Sequence, residues 1–352
     1  MPAEKVRIGF VGVGRMGQCA HLRNYAVIPE CEVVAVADVR QQTARQVAAA
    51  YGIPKVYPDA ATMLANEELD GIVASQQFEH HVRLLPELLE AGKPLFIEKP
   101  LAASVAGGQF LLDKIAASGS WVMPGYHKRS DPASEFARDH IRNLKQSGEL
   151  GELRYVRVTM PAGDWIAGGF AGLIDADDPY PEPVAEGRPA DLDEASYAEY
   201  VKFVNYYIHQ VNYVNFLLDE DYEITYADPA GVLLAGVSAS GVAVAIEMSP
   251  YETTLDWQES ALVGLAKGYV RVDLPPPLAR NRAGTVEILR DAGQGLPPET
   301  SRPGMPSTHA TYAQARNFVL AIRGDRAPIC DAQQALRDLE LARDYLRLPT
   351  GA

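Results

Sequence analysis

The sequence predicts two folds in tandem, an α/β domain built on a parallel sheet and an α+β domain built on a large, mainly antiparallel open sheet. Three observations predict them. At 352 residues the chain exceeds what one core of ordinary size fills. From Val6 to about Gly125, short apolar runs alternate with helical patterns, the order that gives parallel strands joined by crossover helices. From about Leu153 the runs change to period-two alternation between turn residues, the mark of antiparallel strands. The boundary is placed between residues 126 and 127, giving domains 1–126 and 127–352.

The first strand, "VRIGFV", runs into Gly12, Gly14 and Gly17. Glycine at the first position permits a tight turn, at the second it leaves the backbone open to a pyrophosphate, and at the third it lets the next helix pack closely. The second strand, "CEVVAVAD", ends at Asp38, about twenty residues downstream, where a carboxylate accepts from an adenosine ribose. Together these predict a Rossmann dinucleotide-binding domain. Arg15 and Met16 fall inside the turn and are expected to touch the cofactor. Asp38 favours NAD, because its charge repels a 2′-phosphate, whereas Arg40 keeps NADP open. The fourth strand, "GIVA", leads to Ser75, Gln76, Gln77 and His81, expected to line the nicotinamide or to cap a helix. The fifth ends in "FIEKP", placing Glu98 and Lys99 at the carboxyl edge of the sheet, where open α/β folds bind their ligands. The sixth ends at Gly125, after which Asp131 is expected to cap a helix opened by Pro132.

Composition narrows the function. With 46 acidic against 32 basic residues the net charge is -14, and no basic block offers the field that nucleic acid requires. No apolar run approaches about eighteen residues, so no membrane span is expected. Cys19, Cys31 and Cys330 are odd in number and lack metal spacing, which suits reduced thiols, a cytoplasmic location and no metal site.

Four places in the chain carry further chemistry. A lysine at the Lys99 position can exchange a proton with a hydroxyl or carbonyl oxygen, or it can be a turn lysine at the surface. The run "EASYAEYVKFVNYYIHQVNYVNFLL" reads as one greasy helix on which Lys202, Asn205, His209 and Asn212 fall within roughly 80° of arc. That stripe is either a substrate-facing polar seam or a solvent face. Tyr126, His127 and Lys128 follow the sixth strand and are expected to meet a polyhydroxylated or anionic ligand, or solvent. Pro161 to about Asp193 is an irregular Gly-, Pro- and Asp-rich excursion, and Trp165 within it is expected to contact substrate.

The blocks "GFVGVGRMG", "AGKPLFIEKPLA", "GYHKRSDP" and "NYYIHQVNYV" resemble the Gfo/Idh/MocA family of oxidoreductases, over essentially the whole chain. The resemblance implies an NAD(P)-dependent enzyme acting on a secondary alcohol or ketone of a sugar, cyclitol or glycoside, with Lys99 and His209 as acid/base and orienting groups. Departures stand at Asn205 and Asn212, where the family usually has acids, and at Gln76-Gln77, where it has Thr-Pro. An amide at Asn205 orients a hydroxyl but cannot take its proton. Two other readings stay open: a glycoside hydrolase that keeps NAD bound and oxidises transiently, and a non-catalytic sugar-nucleotide sensor. Between Asp221 and Arg290, strands such as "GVAVAIEMS" carry small or apolar residues at both parities. A homodimer or homotetramer joined through that sheet is therefore expected, with Val244 at the interface.

Overall fold

The computed structural model describes residues 4–180, 185–190 and 192–348. Two compact units emerge: Met1–Tyr126 with Gly168–Val201 and Thr311–Leu339, and His127–Ala167 with Lys202–Ala310 and Glu340–Ala352. The fold class is as the sequence predicts, a parallel sheet and a second, mainly antiparallel one.

In the first unit β1 (Val6–Val11), β2 (Cys31–Ala37), β3 (Lys55–Tyr57), β4 (Gly71–Ala74), β5 (Leu95–Ile97) and β6 (Val122–Pro124) form a sheet of order β3-β2-β1-β4-β5-β6. Every pairing is parallel. Parallel sheets are covered on both faces, so their strands read as continuous apolar runs. Ile8, Phe10, Ile72, Val73 and Phe96 are accordingly buried. The glycine turn enters a π-helical stretch, Gly17–Leu22, continued by α1 (Arg23–Tyr25). The later crossovers include α2 (Gln41–Tyr51), α3 (Ala60–Asn66), α4 (His81–Leu89) and α5 (Val105–Ser118). Tyr25, Phe96 and Trp121 each meet Phe318 edge-on, an aromatic cluster that anchors a late helix of the chain in this unit.

In the second unit, α6 (Pro132–Ser147) begins as the sequence predicts: Asp131 accepts from Ala133 N at 2.8 Å, with Pro132 in the first turn. The same carboxylate accepts from Gly284 N at 3.0 Å. Burial pushes the Asp131 carboxyl up to about 6 despite those bonds. Next come β7 (Leu153–Ala162), α7 (Glu194–Tyr206), whose first turns belong to the first unit, and α8 (Ile208–Leu218). They are followed by β8 (Tyr222–Ala227), β9 (Leu233–Ser238), β10 (Ala243–Glu252), β11 (Glu259–Leu265), β12 (Gly268–Leu274), β13 (Thr285–Arg290) and β14 (Glu299–Ser301). The closing helices are α9 (Ala310–Ile322) and α10 (Ala332–Arg347). The second sheet has the order β14-β13-β12-β11-β7-β10-β9-β8, with β7 and β10 parallel and the other pairs antiparallel.

Three expectations need correction. Pro161 and Ala162 belong to β7, so the irregular excursion starts after them. The long greasy helix is broken at Tyr207, whose carbonyl accepts from both Gln210 N and Val211 N. Its hydroxyl is bonded to Ser249 Oγ at 2.8 Å. Val244 lies on the face covered by helices and is buried, as are its same-face neighbours Val156 and Val263. The open face carries Ala243, Tyr155 and Val237 instead.

Candidate active site

All strands of the first sheet point the same way, so their carboxyl ends share one edge. The chain winds one way from β1 to β3 and the other from β4 to β6, which makes β1/β4 the switch point where a crevice opens. The glycine turn follows β1, Asp38 follows β2, Ser75 and Gln76 follow β4, and Glu98 and Lys99 follow β5, all at that edge. Gly12 has φ +88°, a left-handed conformation, and a Cβ on it would lie 2.6 Å from the Ser75 carbonyl and 2.7 Å from Gln76 Nε2. A Cβ on Gly17 would run into the Gly12 carbonyl. One on Gly14 would meet only Arg40 Nη2, at 3.7 Å. The turn is thus closed at its first and third glycines and open at the second, the cradle that a pyrophosphate fits.

Asp38, 8% exposed, is held by two backbone donors, Val13 N to Oδ2 and Arg40 N to Oδ1, both at 2.8 Å. A carboxylate has four acceptor sites, so capacity remains for ribose hydroxyls. Ser75 N donates to Val11 O at 2.8 Å and extends the β1–β4 pairing beyond the strand end. Gln76 lies against Gly12, while Gln77 is exposed. Arg15 is exposed and stacks over Phe170 at 5.5 Å, and Met16 is half-buried just before the π-helical stretch.

Lys99 stands half-buried beyond β5, and its N–H donates to Glu98 Oε2 at 3.2 Å. Glu98 also pairs with buried His21. Burial raises the Glu98 pKa, but His21 and Lys99 outweigh it and hold the carboxyl below its ordinary value. A fixed negative charge therefore accompanies Lys99.

His81 is fully buried, with Nδ1 at 3.0 Å from the Leu101 carbonyl. It ties α4 to the segment after Lys99. Burial pushes its pKa down to about 4, overriding the Leu101 carbonyl and Glu98, which favour charge. The unfolded chain binds that proton near pH 6.5, so the stability from neutral His81 is complete above 6.5 and lost as pH falls through about 4. The loss amounts to about 3 kcal/mol. Urea unfolding between pH 7.5 and 4 is expected to show a steeper decline for the parent than for His81→Gln.

In the second unit, the 3₁₀ turn His127–Ser130 packs on α8 and brings two predicted groups together: His127 and His209 meet edge-to-face at 4.6 Å. Lys128 is 4% exposed, its ammonium 2.5 Å from Glu259 Oε2 and 5.9 Å from the Trp257 ring centroid. Its charge is thus answered within the protein, not held open for an anionic ligand. Gln210 Nε2 donates to the other Glu259 oxygen at 2.5 Å, and Arg129 Nε donates to Asn212 Oδ1 at 2.5 Å. The break at Tyr207 divides the predicted stripe: Lys202 and Asn205 are exposed on α7, whereas His209 is half-buried and Asn212 buried on α8. Tyr126 is enclosed, at 1% exposed, and Trp165 is half-buried, its carbonyl accepting from Leu278 N at 3.2 Å. Sequence reading missed Glu259, Gln210 and His21. Each answers a partner far away in the chain, and only the unexplained positive charge at Lys128 hinted at one.

Residues 6–126 match the family model described as "Oxidoreductase family, NAD-binding Rossmann fold" (GFO_IDH_MocA). Over these residues the chain is similar to the Gfo/Idh/MocA oxidoreductases. It is 34% identical over 149 residues to inositol 2-dehydrogenase of Acidothermus cellulolyticus, covering 42% of each chain. It is 22% identical over 228 residues to myo-inositol 2-dehydrogenase of Thermotoga maritima, covering 63% of this chain and 58% of that one. These matches therefore span 42% and 58% of the relatives' own lengths. Solved structures extend the likeness in fold. An aldose-aldose oxidoreductase of Caulobacter crescentus, complexed with glycerol, superposes with TM-score 0.69 at 18% identity, covering 98% of both chains. An apo scyllo-inositol dehydrogenase of Lactobacillus casei superposes with TM-score 0.67 at 16% identity, covering 99% of this chain and 96% of that one. The glycine cradle and Asp38 thus lie within the residues that match the NAD-binding Rossmann model. Among the described residues no helix is long and apolar enough to cross a membrane, and no cluster of metal-ligating side chains occurs.

Proposed function

We propose that this chain is a nicotinamide-dependent oxidoreductase that interconverts a secondary alcohol and a ketone on a cyclitol, sugar or glycoside. The observation that carries the reading is the carboxyl edge of one parallel sheet, which presents the cradle of Gly12, Gly14 and Gly17, the ribose acceptor Asp38 and the half-buried Lys99. When bound there, the nicotinamide supplies hydride exchange with carbon. Lys99 handles the matching proton at the substrate oxygen, with the Glu98 carboxylate beside it. His209 orients a substrate hydroxyl, a role that rests on its match to the family's helix motif. Inositol dehydrogenases among the relatives favour a cyclitol or sugar as substrate. Purified protein given NAD or NADP and a panel of cyclitols, sugars and glycosides is expected to change absorbance at 340 nm, and a flat trace across the whole panel overturns the reading.

The amides at Asn205 and Asn212 leave a second reading open, hydrolysis through transient oxidation with NAD retained. Release of free sugar from a glycoside without net NADH selects it. We further propose assembly through the open face of the second sheet, on which small Ala243 and Val237 pair directly. Light scattering is expected to give a multiple of 38.2 kDa, reduced to the monomer by Ala243→Glu.

A further inference from the structure

The excursion after β7 returns to the first unit as a strap. Gln18 Nε2 donates to Ile174 O at 2.8 Å, and Ile174 N donates back to Gln18 Oε1 at 3.0 Å. Arg23 Nη1 donates to Gly169 O at 2.9 Å. The strap thereby reaches α2, which lacks a side-chain cap of its own: its N-cap residue is Arg40, whose side chain cannot accept a hydrogen bond, and no acid stands in its first turn. Asp178 supplies the cap from 136 positions beyond Gln42. Its carboxylate accepts from Gln42 N at 2.8 Å, from Thr43 N at 3.3 Å and from the Thr43 hydroxyl.

A second observation marks the same place as an anion site. Arg40 is 8% exposed and its Nε makes no hydrogen bond. Its guanidinium lies beside the open Gly14 turn and under the Tyr180 ring, 5.1 Å from the centroid. The nearest carboxylates, Asp38 and Asp175, are both at 3.7 Å, beyond hydrogen-bond range. A buried guanidinium next to a helix N-terminus and just beyond the ribose acceptor Asp38 is the combination that receives a ribose 2′-phosphate. Here an internal carboxylate already holds the helix end.

We propose that Asp178 is a cofactor-specificity residue: the strap lays its carboxylate on the N-terminus of α2 and thereby rejects the 2′-phosphate of NADP, leaving NAD as the dinucleotide held. The inference rests on the reading of the glycine turn as a nicotinamide-dinucleotide site. The 2′-phosphate meets like charge from Asp178, Asp175 and Asp38 and finds the α2 N–H groups taken, whereas the 2′-hydroxyl of NAD needs only Asp38. Tyr180 covers one face of the Arg40 guanidinium.

Binding of NADH and NADPH to the purified protein, followed by nucleotide fluorescence or calorimetry, tests this without turnover. The parent is expected to prefer NADH. Asp178→Ala is expected to tighten NADPH by about tenfold or more, because a like charge beside the 2′-phosphate is removed, with NADH affinity changed by less than about threefold. Asp178→Asn retains an acceptor for the α2 N–H groups without the charge and is expected to gain less. A parent that prefers NADPH overturns the proposal, as does an NADH/NADPH ratio unmoved in both variants when each melts like the parent. If Asp178→Ala fails to fold, the Asp178→Asn ratio decides alone. Absence of binding by either dinucleotide to the folded parent overturns instead the dinucleotide reading on which the proposal rests.

Discussion

Replacing Lys99 with alanine is expected to lower turnover by about a hundred- to ten-thousandfold, while NAD affinity stays within about threefold of the parent. The split follows from where the two functions reside. In the proposed reading the dinucleotide is held by the cradle at the end of β1 and by Asp38 at the end of β2, whereas Lys99 stands beyond β5. An interaction used only while the proton moves lowers kcat and kcat/KM together. His209→Ala is expected to be milder, with a larger share of its effect in KM, because an orienting group acts in the ground state as well. Equal turnover in the parent and both variants removes the proposed mechanism. Asn205→Asp provides the complementary measurement, since it puts an acid where the resembled family's motif has one and this chain has an amide.

Gly12→Ala and Gly14→Ala are expected to fail in opposite ways. At Gly12 a methyl group meets backbone at 2.6 Å in a left-handed conformation. Strain of about 1–2 kcal/mol for the conformation and about 1–3 kcal/mol for overpacking falls on the fold itself, so the melting temperature drops along with nucleotide affinity. At Gly14 the methyl has no protein atom closer than Arg40 Nη2 at 3.7 Å. The fold is therefore expected to melt as the parent does. NAD affinity is expected to fall by about a hundredfold, roughly 2.7 kcal/mol, because the methyl stands where the backbone approaches the pyrophosphate. Thermal melts with and without NAD distinguish the two. Retained affinity in Gly14→Ala contradicts the cradle.

Much of the first unit was legible because its chemistry is local. Gly12, Gly14, Asp38 and Lys99 each lie within a few residues of a strand end, and a parallel sheet gathers those ends without further information. Asp131 with Pro132 was legible for the same reason, since a cap and its helix are neighbours in sequence. What escaped the sequence is long-range. Glu259 answers Lys128 from 131 positions away and Asp178 caps α2 from 136, and nothing beside either residue records its partner. The helix breaks at Tyr207 without a proline or glycine to announce it, where the hydroxyl is bonded to a strand. Val244 was assigned to the wrong face because small residues at both parities of β10 leave the buried side undetermined until the register is known.

The central claim, that hydride passes from a substrate carbon to the nicotinamide while Lys99 manages the proton, is tested most directly with deuterated substrates. Perdeuterated cyclitols and sugars are incubated with the protein and NAD, and the reduced nucleotide is examined by NMR and mass spectrometry. The account predicts deuterium at C4 of the nicotinamide, formed by the parent and at least a hundredfold more slowly by Lys99→Ala. Nucleotide that binds to the protein yet acquires no deuterium from any member of the panel contradicts it.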